Sequence, residues 1–133
     1  MEFERRCRGL LSSLAREANG VSFHVADRGG ASVLSAWDSA HLALVLRHVD
    51  PAAAAAELRA LYRACQREDG LVAGARAFDA RARAARQAEL GPLFGEDERS
   101  ILIAPPVAAY AAARLASASK SQPQKTGSSI TNA

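Results

Sequence analysis

The run Ala36-Trp37-Asp38-Ser39-Ala40-His41-Leu42-Ala43-Leu44-Val45-Leu46-Arg47-His48-Val49-Asp50-Pro51 decides the reading of this chain, because it holds the single tryptophan, an adjacent carboxylate and punctuation at both ends. Ser35 is a candidate N-cap before it. Asp50-Pro51 suits the start of a following helix, with Asp as N-cap and Pro at the first helical position, where its missing N–H has no intrahelical partner to lose. The spacing predicts a helix over 37–49 that is apolar on most of its circumference, through Ala40, Leu42, Ala43, Leu44, Val45, Leu46 and Val49. Such a helix demands burial on several sides. Trp37 and Asp38 then stand at its N-terminus.

Outward from this stretch, residues 51–65 read as an amphipathic helix with Ala54, Leu58, Leu61, Tyr62 and Cys65 on one stripe and Glu57, Arg59 and Arg63 off it. Arg67-Glu68-Asp69-Gly70 is a turn. Residues 75–90, rich in Ala and Arg, are expected to form a solvated helix, and Gly91-Pro92-Leu93-Phe94-Gly95 a loop. Pro105-Pro106 opens a short helix over 108–115. Upstream, Phe3, Cys7, Leu10, Leu11 and Leu14 predict an amphipathic helix over 3–18, with Asn19-Gly20 as its C-terminal stop. Residues 21–25 alternate apolar and polar and predict one short extended segment, which cannot make a sheet alone. The expected fold class is therefore all-α, built of helical hairpins.

Composition narrows the classes. Hydrophobic residues make up 49% of 133 residues and aromatics 5%, so the core must pack through Ala, Leu and Val. The net charge is +3, but removing Lys120 and Lys125 from the seventeen basic residues leaves fifteen against fourteen acidic ones over residues 1–119. A near-neutral body offers no electrostatic footprint for nucleic acid or an anionic membrane. Cys7 and Cys65 have neither CxxC spacing nor a histidine partner, so neither a metal site nor a cofactor is expected. No signal peptide and no apolar stretch long enough to span a bilayer is read, which makes the expected location cytoplasmic. From Ser117 the chain loses the Arg, Ala and Leu of the body and turns to Ser, Gln and Lys, predicting a disordered tail over 117–133 of separate origin.

Five pieces stand in a familiar order: Trp37-Asp38-Ser39-Ala40-His41, Leu46-Arg47-His48-Val49-Asp50-Pro51, Glu57-Leu58-Arg59-Ala60-Leu61, Cys65-Gln66-Arg67-Glu68-Asp69-Gly70-Leu71-Val72 and Ala104-Pro105-Pro106-Val107-Ala108-Ala109. Over about 34–115 the chain resembles the first part of the α/α-toroid glycoside hydrolases, the group of mannosylglycerate and glucosylglycerate hydrolases and, more distantly, trehalases and processing α-glucosidase. The resemblance implies residues 1–116 as part of a toroid domain and a small glycoside or sugar as ligand. It also implies inverting hydrolysis by two carboxylic acids. Trp37 would be an apolar wall and Asp38 an acceptor for sugar hydroxyls, suited by an indole face and a carboxylate respectively. Ala104 stands where the family has a sugar-contacting Gln, and Val72-Ala73-Gly74 where it has Ile-Pro-His. The family's general acid and base lie further along a ring of six hairpins, of which this chain has room for about two.

No catalytic residue is therefore assigned. Asp69 belongs to a turn, and Glu96, Asp97 and Glu98 form a solvated cluster. His24, His41 and His48 have no Ser or Cys in a nucleophile context beside them. His41 and His48, seven residues apart on a helix, are too distant to share one ion. Two functional expectations follow. One is a glycoside hydrolase-like protein with part of a sugar subsite and no catalytic pair. The other is a small helical interaction module that pairs or self-associates through exposed apolar helix faces.

Overall fold

A computed structural model describes residues 2–26 and 30–120, without the side chains of 119 and 120. The chain runs α1 (Glu2–Leu14), β1 (Ala15–Ala18), β2 (Val21–His24), β3 (Val33–Ser35), α2 (Ala36–Leu46), α3 (Pro51–Cys65), β4 (Ala75–Ala77), α4 (Ala80–Leu90) and α5 (Val107–Lys120), with a single 3-10 turn at Gly91–Leu93. Among the described residues, five helices and two small antiparallel sheets make the fold mixed α/β, which corrects the all-α, toroidal expectation.

The first correction lies at the expected helix over 3–18. It ends at Leu14, and Ala15–Ala18 pairs antiparallel with Val21–His24, with Ala18 opposite Val21. Asn19 and Gly20 have φ of 53° and 71°. Positive φ at both central residues is the two-residue turn whose twist matches a hairpin, so Asn19-Gly20 reverses the chain instead of capping a helix. The extended segment at 21–25 thereby gains the partner that one strand requires.

The second correction divides the expected helix over 75–90. Ala75–Ala77 pairs with Val33–Ser35, and α4 begins only at Ala80, where Asp79 Oδ1 accepts from Ala82 N at 2.7 Å as N-cap. Residues 98–104 lie along the other side of β4, through Ala77 N to Glu98 O (2.9 Å), Ser100 N to Ala75 O (2.9 Å) and Gly74 N to Leu102 O (2.8 Å). Gly74 permits this approach, since a Cβ there would meet Leu102 O at 3.3 Å. Residues 93–95 fold back on 99–101 in turn.

The core lies between α2, α3, α5 and β2. Ala36, Ala40, Ala43 and Leu46 of α2 meet Ala54, Leu58, Leu61, Ala64 and Cys65 of α3, with Ala108 and Ala111 of α5. Small side chains at these positions let the helices approach closely, and Phe23 and Val25 seal the hairpin against them. Of the expected tail, residues 117–120 form the last turn of α5, and 121–133 lie outside the described residues.

Candidate functional site

The expected pair at the start of α2 divides. Ser35 caps the helix by accepting from Asp38 N at 3.3 Å. Asp38 then lines an open pocket of about 250 Å³ with Ser35, Val33, Ala31 and, from α4, Arg86 and Glu89. Its carboxylate makes no hydrogen bond or ion pair among the described residues. Arg86 is tied to Glu89 at 2.6 Å. Trp37 is absent from this pocket. The residue is 53% exposed, and its ring lies 4.4 Å from the His41 ring, whose Nδ1 donates to Trp37 O at 2.8 Å. One helical residue of separation turns the indole about 100° away from the carboxylate, so the two do not wall one cavity.

Among the described residues the buried ionisable carboxyl is that of Glu57, which amphipathic spacing put off the apolar stripe. Its carboxylate is 2% exposed and joins three elements. Oε1 accepts from Ser39 Oγ of α2 at 2.7 Å, and Oε2 from His24 Nδ1 of β2 at 2.8 Å. The His24 backbone N–H adds a longer contact to Oε1 at 3.4 Å. With Oε2 as acceptor, Nδ1 supplies the hydrogen of this contact. Ser39 thus donates to the carboxylate and not to the imidazole, which sets the trio apart from a nucleophile–base relay. It pins the hairpin to the two central helices. Only the presence of a carboxylate at a position between Ala54 and Leu61, both buried, could have signalled it in sequence.

A second polar device closes α3. Arg99 Nε and Arg76 Nη1 both donate to Ala64 O, at 2.9 and 3.2 Å, and Arg67 donates to Ser100 O. Guanidinium groups at a helix C-terminus satisfy its open carbonyls and its dipole. Cys65 beside them is fully buried, and burial pushes its thiol up to about 12 despite the opposing pull of Arg76 and Arg99. Two carboxylates of the 95–98 turn are paired, Asp97 with Arg99 at 3.3 Å and Glu98 with Arg83 at 3.8 Å. His48 accepts from Arg47 Nε at 3.1 Å. Among the described residues, no group of three or more His, Cys, Asp or Glu side chains is placed to hold a metal ion.

A third feature is apolar. An open groove of about 310 Å³ lies between α1 and the α2–α3 corner. None of the residues of α1 is buried, and Leu11 and Leu14 alone of its side chains lean on the core. Elsewhere α2 leaves Trp37 and Val45 more than half exposed, and Val49, which lines the groove, is exposed too. Among the described residues no helix is long and apolar enough to cross a membrane.

These features give a small mixed α/β fold a buried carboxylate tie, a pocket beside Asp38 and an uncovered apolar groove. Comparison with known protein families, curated proteins and solved structures returns no match to this chain.

Proposed function

We propose that this chain is an interaction module without catalytic activity, whose apolar α1 groove is completed by a protein partner. The observation that carries this reading is α1 itself. It is a 13-residue helix with no buried residue, and its apolar edge borders an open apolar groove. Helices of that length are marginal in water without packing, so a cover stabilises it. The test is amide exchange in dilute chain. α1 is expected to exchange far faster than α3 and to gain protection when a partner binds. Protection of α1 equal to that of α3 in a dilute monomer overturns the reading.

A second reading is favoured by the Asp38 carboxylate, unpaired among the described residues, in its pocket. It is the partial sugar subsite of a glycoside hydrolase-like protein, and it keeps Asp38 as hydroxyl acceptor while leaving Trp37 without a role in that pocket. Backbone resonances of Val33, Asp38 and Ala85 are expected to shift on titration with mannosylglycerate, glucosylglycerate or trehalose, and Asp38→Ala to abolish the shifts. Silence of these resonances in the native chain at saturating ligand ends this reading.

A further inference from the structure

We propose that the cleft where the end of α2 meets α5 binds a tetrahedral dianion of the phosphate class, free or as a small ester, held by the guanidinium groups of Arg47 and Arg114. This cleft is separate from the α1 groove and from the pocket beside Asp38, and depends on neither reading above.

The cleft holds about 290 Å³ and is lined by Arg47 and His48, just past the end of α2, and by Arg114, Ser117 and Ala118 of α5. Its side chains offer hydrogen-bond donors. Arg47 is half-buried, yet the one hydrogen bond of its guanidinium among the described residues runs from Nε to His48 Nε2 at 3.1 Å. Arginine has no acceptor, so Nε2 accepts and the ring hydrogen of His48 sits on Nδ1, which makes the imidazole a further donor. The Ser117 hydroxyl is turned to its own helix, donating to Ala113 O at 2.9 Å.

No carboxylate answers these charges. Among the described residues six arginines make ion pairs, whereas Arg47 and Arg114 make none. α5 has no acid to supply, because no Asp or Glu follows Glu98 in the chain. Asp50, three residues beyond Arg47, caps α3 by accepting from Ala53 N at 2.9 Å. The dipole of α2 places roughly half a negative charge at this end, which leaves most of the two positive ones unanswered. Like charges gathered from two helices repel until an anion lies between them. Two guanidiniums match a dianion in charge, and their planar forks match its oxygens in pairs. Arg59 and Arg63 also lack an ion pair among the described residues, but both stand on the exposed face of α3, where water solvates them.

The test is a titration followed by backbone resonances at constant ionic strength and mildly alkaline pH, where inorganic phosphate and methyl phosphate are both largely dianions. Resonances of Arg47, His48 and Arg114 are expected to shift together, with a dissociation constant on the order of a millimolar. Arg114 is exposed, so Arg114→Gln leaves the fold intact and is expected to weaken binding about tenfold or more, as loss of a charge-assisted contact does. Arg47→Gln is expected to do the same, and Arg63→Gln on the outer face of α3 to change nothing. Acetate, a monoanion, is expected to bind about tenfold more weakly than phosphate. Tighter binding of methyl phosphate than of phosphate assigns an ester, and the reverse assigns the free ion. The proposal is overturned if the three resonances stay still at roughly ten times the expected constant or if acetate binds as well as phosphate. It is equally overturned if Arg63→Gln weakens binding as much as Arg114→Gln, since diffuse surface charge then accounts for the effect.

Discussion

Glu57 is the side chain whose environment most differs from its place in the primary pattern. Removing it leaves the buried Ser39 Oγ and the half-buried His24 Nδ1 without their acceptor, so Glu57→Ala is expected to destabilise the fold by about 3 kcal/mol. Glu57→Gln keeps an acceptor for Ser39 and offers an N–H to the other imidazole tautomer, lowering the loss to roughly 1 kcal/mol. Urea denaturation of the two variants checks the difference, and equal losses would deny the hydrogen-bonded role. Cys65 gives a second prediction at this scale. Burial favours the neutral thiol, so its folded pKa of about 12 lies above the unfolded one. That contribution is fully present below the unfolded value and is lost as pH rises from there through about 12. Under native conditions at mildly alkaline pH, a thiol reagent is expected to modify the partly exposed Cys7 and to spare Cys65 until the chain unfolds.

Elements here are bounded by chemistry that is local, and misread where two local signals compete. Ser35, Asp50 and Asp79 all act as N-caps, each accepting from the backbone N–H three residues on. The first two were legible because an apolar run follows them. Asp79 was not, because Ala and Arg on both sides favour helix and hide the boundary. Pairing with β3 decides against that propensity at Ala75–Ala77. Asn19-Gly20 shows the same competition, since one dipeptide serves both a helix stop and a hairpin turn. At Asp79 the Ala82 backbone N–H, and then Ser32, hold the carboxyl below its ordinary value. A depressed folded pKa means the cap contributes above the ordinary carboxylate range and fades as pH falls through Asp79's own lower value. Asp79→Ala is expected to cost about 1 kcal/mol, and the loss should shrink in acid, as stability measured across pH will show.

At the scale of the molecule, apolar side chains gather in two clusters of unequal size. The larger joins α2, α3, α5 and β2, and the smaller consists of Ala77, Ala82 and Phe94 with Ala31, Val33 and Leu90 beside it. α4 depends on the smaller one. Phe94→Ala is expected to cost about 3 kcal/mol and to release α4 selectively, with its amides losing protection while those of α3 keep theirs. Uniform loss across the chain would show instead that the two clusters unfold as one.

Caps, the Asp69-Gly70 turn, the apolar character of α2 and the amphipathicity of α3 could be read from neighbours in the chain, because each depends on contacts within a few residues. The place of Asp38 in the first turn of α2 was legible on the same grounds. The hairpin at β1–β2, the pairing of β3 with β4 and the burial of Glu57 against His24 and Ser39 depend on partners 18 to 44 residues away or on a choice between equal local signals. Trp37 follows the same rule. Its sequence marks it as a large apolar group at a helix start, but the direction of its ring is set by which face of α2 the neighbours α3 and α5 leave open. Burial is a property of what packs opposite, and in this chain that comes from the returning segments.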